Sequence, residues 1–457
     1  MEFTFLEPQN QLSPGRKLFS NQDLKNLILP LFIEQFLAML VGIVDTMMIS
    51  YAGDAAVSGV SLVNQFNTIF IYIFSALASG GAVVVSQYIG SKNEKDGNLA
   101  AGQLVMIAFA ISFVCALLSL LFYRQILGLL FGRVEEDVMA ACVTYLTISA
   151  YSFPAIAVYN AGAALYRSMG RTKVTMYLSL LANLINVIGN AIGIFILHAG
   201  VAGVAVPSLI SRFFQAIVIM LLCFRKNEVT LFWKNILQFR GEMVLKVLHI
   251  AIPNGVENGI FQLVKVALSS IVALFGTAQI AANGVGQSIW SMAALMCTSF
   301  SLAVITVSGQ CMGAKDPEAA EYYIKKMTRM AIVLAVLWNG FILALTPLLL
   351  NLYALSEEAK RYTLILVVIH NIFNGFMLPL SGTIGNGVRA AGDVKFAMRV
   401  TIGTTLGVRM VFSYIFGITL GMGVFGIAAA MCLEWTVKGF IFLGRLRSGK
   451  WKNFKVI

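Results

Sequence analysis

The chain repeats itself at an offset of 223 residues, which is the separation of Pro30 from Pro253. Polar residues and glycines of the first half recur at this offset in the second half, and both halves are strongly apolar. The matched pairs are Pro30/Pro253, Glu34/Glu257, Gly53/Gly276, Asn64/Gln287, Thr68/Ser291, Gln87/Gln310, Gly90/Gly313 and Lys92/Lys315. The offset is 222 at Arg167/Arg389 and Gly170/Gly392, and it is again 223 at Gly200/Gly423 and Gly203/Gly426. Such a duplication in an apolar chain of 457 residues is typical of membrane transport proteins with two related lobes.

The composition indicates an integral membrane protein. Hydrophobic residues make up 58% of the chain and charged residues 12%, whereas soluble domains carry about 25% charged residues. Apolar stretches of about 20 residues, the length of a membrane-crossing helix, recur along the whole chain. We therefore predict an all-α integral membrane protein with twelve transmembrane helices, at residues 26–50, 56–86, 99–122, 138–162, 174–197, 203–224, 247–275, 279–309, 329–353, 362–386, 400–420 and 424–444.

The distribution of basic residues predicts the orientation of these spans. Of 33 lysines and arginines, 25 lie at the two ends of the chain or in one alternate set of loops. The opposite set of loops holds four, namely Arg124, Arg133, Lys360 and Arg361. Because an excess of Lys and Arg marks cytoplasmic loops, both termini are predicted to be cytoplasmic, in the plasma or inner membrane of the cell. The net charge of +12 then reflects topology, and we expect no nucleic-acid partner.

The repeat and the loops predict three regions. Residues 1–224 form an N-terminal six-helix lobe with a polar cytoplasmic lead-in, residues 225–246 form a cytoplasmic linker, and residues 247–457 form a C-terminal six-helix lobe with a basic cytoplasmic tail. Because each half has an even number of spans, both halves begin on the same side of the membrane. The lobes should therefore be related by a pseudo-two-fold axis along the membrane normal, with a cavity between them, in a protein that acts as a monomer.

Asp45 is a carboxylate within the first predicted span, where an ionised side chain costs about 2.5–3.5 kcal/mol and needs a partner. Asn186 and Asn190 lie four residues apart on one face of the fifth span, and Ser208 lies on the sixth. One carboxylate with amide and hydroxyl oxygens suits a small hard cation, or a proton on Asp45. The alternative for the asparagines is hydrogen bonding between helices. Asp45 has no repeat mate, because the matching residue is Leu268, so the site is expected in one lobe only.

Several short motifs resemble those of the multidrug and toxic compound extrusion (MATE) family. They are Val44-Asp45-Thr46-x-Met48, Gly53, Gln87-Tyr88-Ile89-Gly90, Gln310-x-x-Gly313-Ala314 and Arg389-Ala390-Ala391-Gly392-Asp393. Their order and spacing extend the resemblance to essentially the whole chain. It implies export of small organic, often cationic, compounds driven by entry of sodium or protons, with no other cofactor. It also implies that Asp45, Asn186, Asn190 and Ser208 form the cation site.

Glu34 and Glu257 form a second pair of candidate site residues. Each lies four residues after a proline, near the cytoplasmic end of the first helix of its half. In one interpretation, both acids flank the entrance of the cavity and attract cationic substrates. In the other, each carboxylate accepts hydrogen bonds from cytoplasmic loop residues and helps to close a gate.

Matched polar stripes on the second and eighth spans are the remaining candidates for the substrate cavity, represented by Asn64, Thr68, Gln287 and Ser291. Such a stripe is costly in lipid, so it should face protein or water. Lys265, in the middle of the seventh span, is a possible charge in the second lobe or the partner of an acid on a neighbouring helix. Glu434 and Lys438 should pair within the last span, and Arg409 should join Glu434.

These observations predict a secondary active exporter that works by alternating access, without a catalytic or metal site. The alternative within transport is a lipid-linked oligosaccharide flippase of the same broader fold, whose cavity should be lined with arginines; in span interiors only Arg212 and Arg409 qualify. A membrane-embedded enzyme is the alternative from another class. It would need a convergent catalytic cluster, and the spans contain no HExxH, paired-aspartate or Ser/His motif.

Overall fold

The structure is a computed structural model that describes the whole chain except residues 1–6, 9–11, 133, 352 and 354. Part of the predicted lead-in and Arg133 of the charge count therefore lie outside the described residues. The described residues form sixteen helices joined by short connections: α1 Asn21–Ser50, α2 Asp54–Gly90, α3 Glu94–Leu121, α4 Tyr123–Phe131, α5 Glu136–Tyr151, α6 Phe153–Ser168, α7 Thr172–Ile196, α8 Ala202–Cys223, α9 Trp233–Leu237, α10 Gly241–Phe275, α11 Thr277–Ala293, α12 Leu295–Gly313, α13 Pro317–Asn351, α14 Glu357–Ala390, α15 Val394–Thr419 and α16 Val424–Ser448.

The long helices agree with the spans predicted from hydropathy. Eleven of them are long and apolar enough to cross a membrane, and α5 and α6, bent by 44° at their junction, together form a candidate for the twelfth. The predicted eighth span corresponds to α11 followed by α12. The all-helical class predicted from the sequence is confirmed.

The repeat register of the sequence reappears in backbone geometry. Lys92 and Lys315, each just after the end of a helix, have φ of 57° and 59°, in the left-handed region that is costly for a residue with a Cβ. Gly53 and Gly276 precede α2 and α11 with φ of 99° and 90°. Positive φ also recurs at Gly170/Gly392 and Gly200/Gly423. The two halves therefore share local backbone conformations as well as residue types.

A second shared feature is a π-helical turn at the end of the fifth span of each half, formed by α7 in the first half and α15 in the second. The turns are Ile192–Ile196 at the end of α7 and Ile415–Thr419 at the end of α15, again 223 residues apart. A π-turn widens the helix by one residue, and such turns are frequent at functional sites. In the first half, this turn begins two residues after Asn190.

The chain divides into two compact units. One contains residues 29–255, and the other contains residues 1–28 together with residues 256–457. Both divisions fall inside a helix and within three residues of a proline, Pro30 in α1 and Pro253 in α10. A proline in a helix removes one backbone hydrogen bond and favours a bend there.

Candidate functional site

Glycines bring α7 and α8 unusually close together. A Cβ at Gly189 would lie 2.6 Å from the Cβ of Pro207, and a Cβ at Gly193 would lie 2.2 Å from the carbonyl oxygen of Gly203. Neither distance is possible for a larger residue without movement of the backbone. This approach aligns the polar face of α7, with Asn186 and Asn190, against the start of α8.

Asp45 and the three predicted partners converge in this region, within the unit of residues 29–255. Asn190 donates from Nδ2 to Asp45 Oδ1 at 2.6 Å and lies 3.3 Å from Asn186 Oδ1. Asn186 in turn donates from Nδ2 to Ser208 Oγ at 2.9 Å. Three helices, α1, α7 and α8, therefore contribute to one continuous polar chain. Residues separated by up to 163 positions in the sequence meet as the resemblance implied.

The oxygens of the four hydrogen-bonded side chains from Asp45 to Ser208 have the character expected of a site for a small cation. Asn186, Asn190 and Ser208 are buried. Within the described residues, Asn190 Oδ1 is buried and has no hydrogen-bond partner, so one acceptor in the site is unused. The described residues contain no group of three His, Cys, Asp or Glu side chains that would hold a transition metal or another multivalent ion. One carboxylate, two amide oxygens and one hydroxyl are the oxygen donors that these four side chains offer.

Arg212, considered from the sequence only as a cavity arginine of the flippase alternative, is a neighbour of this site. It follows Ser208 by one turn of α8, and its Nη1 donates to Ser152 Oγ at 2.7 Å, at the bend between α5 and α6. It is close enough to Asp45 for an electrostatic interaction. A positive charge therefore lies within electrostatic range of the carboxylate. The sequence around Asp45 gives no sign of this charge, because Arg212 lies on another helix, α8.

Glu34 is buried and held by two side chains of its own unit. Its Oε1 accepts from Arg167 Nη2 at 2.5 Å, and its Oε2 accepts from Thr175 Oγ1 at 2.8 Å. Only 5% of the residue is exposed. The carboxylate is thus fully engaged by residues at the end of α6 and the start of α7.

Glu257 has the matching interaction in the other unit. Its Oε2 accepts from Arg389 Nη2 at 2.6 Å, near the end of α14. Arg389 and Arg167 are themselves a repeat pair, at the 222-residue offset. The structure therefore forms the same acid–arginine pair twice, once in each unit. This arrangement is expected if the two carboxylates accept hydrogen bonds from the protein and do not bind a substrate.

The predicted cavity stripes lie on accessible faces of α2 and α11. Asn64 and Ser291 are exposed, and Thr68 and Gln287 are half-buried. The hydroxyls of Thr68 and Ser291 each donate to a backbone carbonyl one turn earlier on the same helix. Asn64 Oδ1 accepts from the hydroxyl of Tyr145 at 3.1 Å. These side chains therefore use part of their hydrogen-bonding capacity within their own lobe, and their remaining polar surface is accessible.

The second lobe carries its buried charges at a different place from Lys265. Lys265 is exposed, and within the described residues its side chain makes no ion pair or hydrogen bond. Glu434, fully buried, accepts from Lys438 at 2.9 Å and lies 3.5 Å from Arg409, as the sequence predicted. His370 is also buried nearby, and neither of its ring nitrogens has a hydrogen-bond partner among the described residues. The sequence of α14 alone does not predict that this histidine lies near the charge of Arg409, because Arg409 belongs to another helix, α15.

The family is decided by a match that reproduces the internal repeat. The MatE family model matches residues 30–192 and residues 253–415, so its two copies begin 223 residues apart. The matches together cover more than half of the chain. The chain belongs to the MATE family.

Two relatives and a solved structure align with this chain over nearly their full length. Uncharacterized transporter YisQ of Bacillus subtilis (strain 168) is 27% identical over 442 residues, which are 96% of this chain and 96% of YisQ. Probable multidrug resistance protein NorM of Thermotoga maritima is 24% identical over 447 residues, which are 95% of this chain and 94% of NorM. The crystal structure of MATE in complex with MaL6 has a TM-score of 0.89 at 19% identity and covers 97% of this chain and 100% of the solved chain. The solved structure shows that the fold is shared.

Membership in the MATE family identifies the protein as a multi-pass membrane transporter rather than an enzyme. The family predicted from the short motifs and the two-lobed helical architecture are confirmed. The flippase alternative gains no support from these comparisons. The positions of the ion site and of the substrate cavity remain predictions.

Proposed function

We propose that the protein exports small organic compounds, often cationic, by alternating access, and that entry of sodium ions or protons through the Asp45 site drives the export. The observation that carries this proposal is the polar chain from Asp45 through Asn190 and Asn186 to Ser208. Its members come from three different helices, and its only acid is the membrane-embedded Asp45. Helix packing alone would not require a carboxylate there.

The coupling follows from the cost of this carboxylate in the membrane. An ionised carboxylate costs up to about 2.5–3.5 kcal/mol within a span, the full value applying at its centre, and a bound cation or proton removes much of that cost at Asp45. A state in which the site is closed around the carboxylate is therefore favoured only when the cation is bound. Because such coupling is reciprocal, a substrate that binds better to the cation-free state lowers the affinity for the cation.

Bending of α1 next to Pro30 is the conformational step that we assign to this coupling. Asp45 lies on the same helix as Pro30, and the division between the two compact units falls next to that proline. A change in the contacts of Asp45 then alters the balance between straight and bent forms of α1, since a proline lowers the cost of bending at that point. The paired acids Glu34 and Glu257 are proposed to stabilise the cytoplasmic ends of the lobes.

The orientation and the assembly state are part of the same proposal. The excess of basic residues in one set of loops supports cytoplasmic termini in the plasma or inner membrane. The complete polar chain of the ion site comes from a single subunit, which supports a monomer as the active unit.

Reconstitution into liposomes tests the proposal. Purified protein in proteoliposomes is given a fluorescent organic cation, with a sodium gradient imposed in one experiment and a proton gradient in another, at matched membrane potential. We expect one of the two gradients to drive transport against the concentration gradient of the dye. If neither gradient moves the dye or another organic substrate beyond equilibration, the proposed function is wrong.

A further inference from the structure

The unit of residues 1–28 and 256–457 contains a cavity of about 690 Å³ at one end of its helices. Its walls come from the chain segment before α1, from α13 and α14, and from the end of α16 with the turn that follows. The volume lies within the range of roughly 300–1,000 Å³ that is usual for small-molecule sites. The proposed orientation puts this end of the unit at the cytoplasmic surface, so the inference rests on that topology.

The wall of the cavity carries more positive than negative charge. Its five basic side chains belong to Arg16, Lys325, Arg329, Arg447 and Lys452. Its two acidic side chains belong to Glu318 and Glu321. The wall therefore has a surplus of positive charge that an anionic ligand would balance.

Three of the five basic side chains are already paired. Arg16 donates to Asp316 at 2.6 Å and to Glu318 at 2.9 Å, and this hydrogen bonding by Arg16 lowers the pKa of Asp316 below its usual value. Glu321 accepts from both Lys325 and Lys452. These pairs form a fixed, electrically balanced part of the wall.

The remaining two arginines hold the unbalanced charge. Arg329 donates from Nη1 to the backbone carbonyl oxygen of Glu7, which is a neutral acceptor, and it is half-buried. Arg447 is exposed, and within the described residues it makes no ion pair. Both guanidinium groups line the same cavity. The planar fork of an arginine matches the geometry of a phosphate group, to which it donates two parallel hydrogen bonds.

The other end of the cavity is apolar. On both α13 and α16 the lining residues change from charged to aliphatic toward that end. Along α13 the lining runs from Glu318 through Lys325 to Ile332, toward the interior of the span. Along α16, which runs in the opposite direction through the lining, Leu443 precedes Arg447. Leu380 of α14 adds a third aliphatic side chain. The cavity therefore has a basic end at the surface and an aliphatic end toward the membrane core.

We propose that this cavity binds an anionic phospholipid of the cytoplasmic leaflet, with its phosphate at Arg329 and Arg447 and the start of an acyl chain along Ile332, Leu380 and Leu443. Basic pockets between transmembrane helices on the cytoplasmic side are suited to anionic headgroups, and an aliphatic wall next to the basic end favours a lipid over a soluble phosphate. A bound lipid joins the segment before α1 to α13 and α16, because all three line the cavity.

Lipid binding to the purified, full-length protein tests this proposal without any transport measurement. Protein in a neutral detergent is titrated with phosphatidylglycerol, with phosphatidylcholine, and with the soluble glycerol phosphate, and bound lipid is counted by native mass spectrometry while the melting temperature is recorded. We expect one phosphatidylglycerol to be retained per protein and to raise the melting temperature. Phosphatidylcholine and glycerol phosphate should do neither. Equal retention of phosphatidylcholine, or equal binding of glycerol phosphate, would overturn the proposal.

Substitutions locate the binding within the cavity. Arg447→Gln should weaken phosphatidylglycerol binding roughly fivefold, the loss expected for one basic residue near an anionic lipid, and Arg447→Glu should weaken it further. Lys450→Gln is the matched control, since it removes the same charge from the exposed turn next to α16 but does not line the cavity. Equal losses in Lys450→Gln and Arg447→Gln would refute a specific site. Asp45→Asn should bind the lipid normally, so a failed transport proposal and a failed lipid proposal remain distinguishable.

Discussion

Replacing Asp45 by asparagine removes the charge of the ion site and keeps the size of the side chain. Asp45 accepts a 2.6 Å hydrogen bond from Asn190, and a hydrogen bond to a charged group contributes about 1.5–3 kcal/mol. The ionised carboxylate itself costs about 2.5–3.5 kcal/mol in the membrane. These two terms are similar in size and opposite in sign, so we expect the free energy of unfolding to change by no more than about 2 kcal/mol. The fold should therefore survive the substitution.

Transport should respond very differently from stability. A coupling free energy between two sites typically changes affinity about 5- to 150-fold, and Asp45→Asn removes the group on which that coupling depends. We expect gradient-driven efflux in proteoliposomes to be abolished, and the effect of the cation on substrate affinity to fall from a factor of about this size to none. Binding of a fluorescent substrate to the detergent-solubilised variant should stay close to that of the unsubstituted protein. The two measurements together separate a lost coupling site from a lost substrate site.

Asp54→Asn is the matched control for this experiment. Asp54 lies in the exposed first turn of α2, so the same chemical change there should leave gradient-driven efflux unaltered. Full efflux in Asp45→Asn would refute the assigned ion site. If efflux were instead lost in Lys265→Met, the coupling site would belong to the second lobe.

Three further predictions concern the packing around the site, the paired acids and the substrate cavity. Gly193→Ala should lower the melting temperature and the efflux rate, because its Cβ would lie 2.2 Å from a backbone oxygen. Gly259→Ala is the control and should have little effect, because nothing lies within 4 Å of a Cβ at that position. Equal effects of the two substitutions would refute the close-packing argument. Glu34→Gln should lower the free energy of unfolding by about 1.5–3 kcal/mol, because it removes the charge that strengthens the hydrogen bonds from Arg167 and Thr175 to this buried side chain, and a variant as stable as the parent would show that the pair is dispensable. Cysteines placed at the stripe positions should react with a polar thiol reagent faster than cysteines at lipid-facing positions, and equal protection would favour a packing role. The stripe positions to be labelled are Asn64, Thr68, Gln287 and Ser291.

The sequence by itself determined the spans, the class of fold and the register of the repeat. Hydropathy is a local property, because a stretch of about 20 apolar residues crosses a membrane whatever its neighbours are. The repeat fixed which backbone positions correspond, and Lys92 and Lys315 indeed share a rare positive φ. The four residues of the Asp45 chain were also found from sequence. Helical spacing put Asn186 and Asn190 on one face, and an intramembrane carboxylate needs such partners.

Only the tertiary structure decided which side chains meet across helices. Glu34 could serve a substrate or a gate as far as its sequence neighbours indicate, and its contact with Arg167 depends on how α1 and α6 are rotated and packed. The same holds for Arg212, whose partner Ser152 lies at a bend between two other helices. The basic cavity was also invisible in the sequence, because its wall combines residues from the two ends of the chain with two helices between them. Periodicity tells which face of a helix a residue occupies, whereas its partner is set by the packing of that face against another helix, which no local pattern contains.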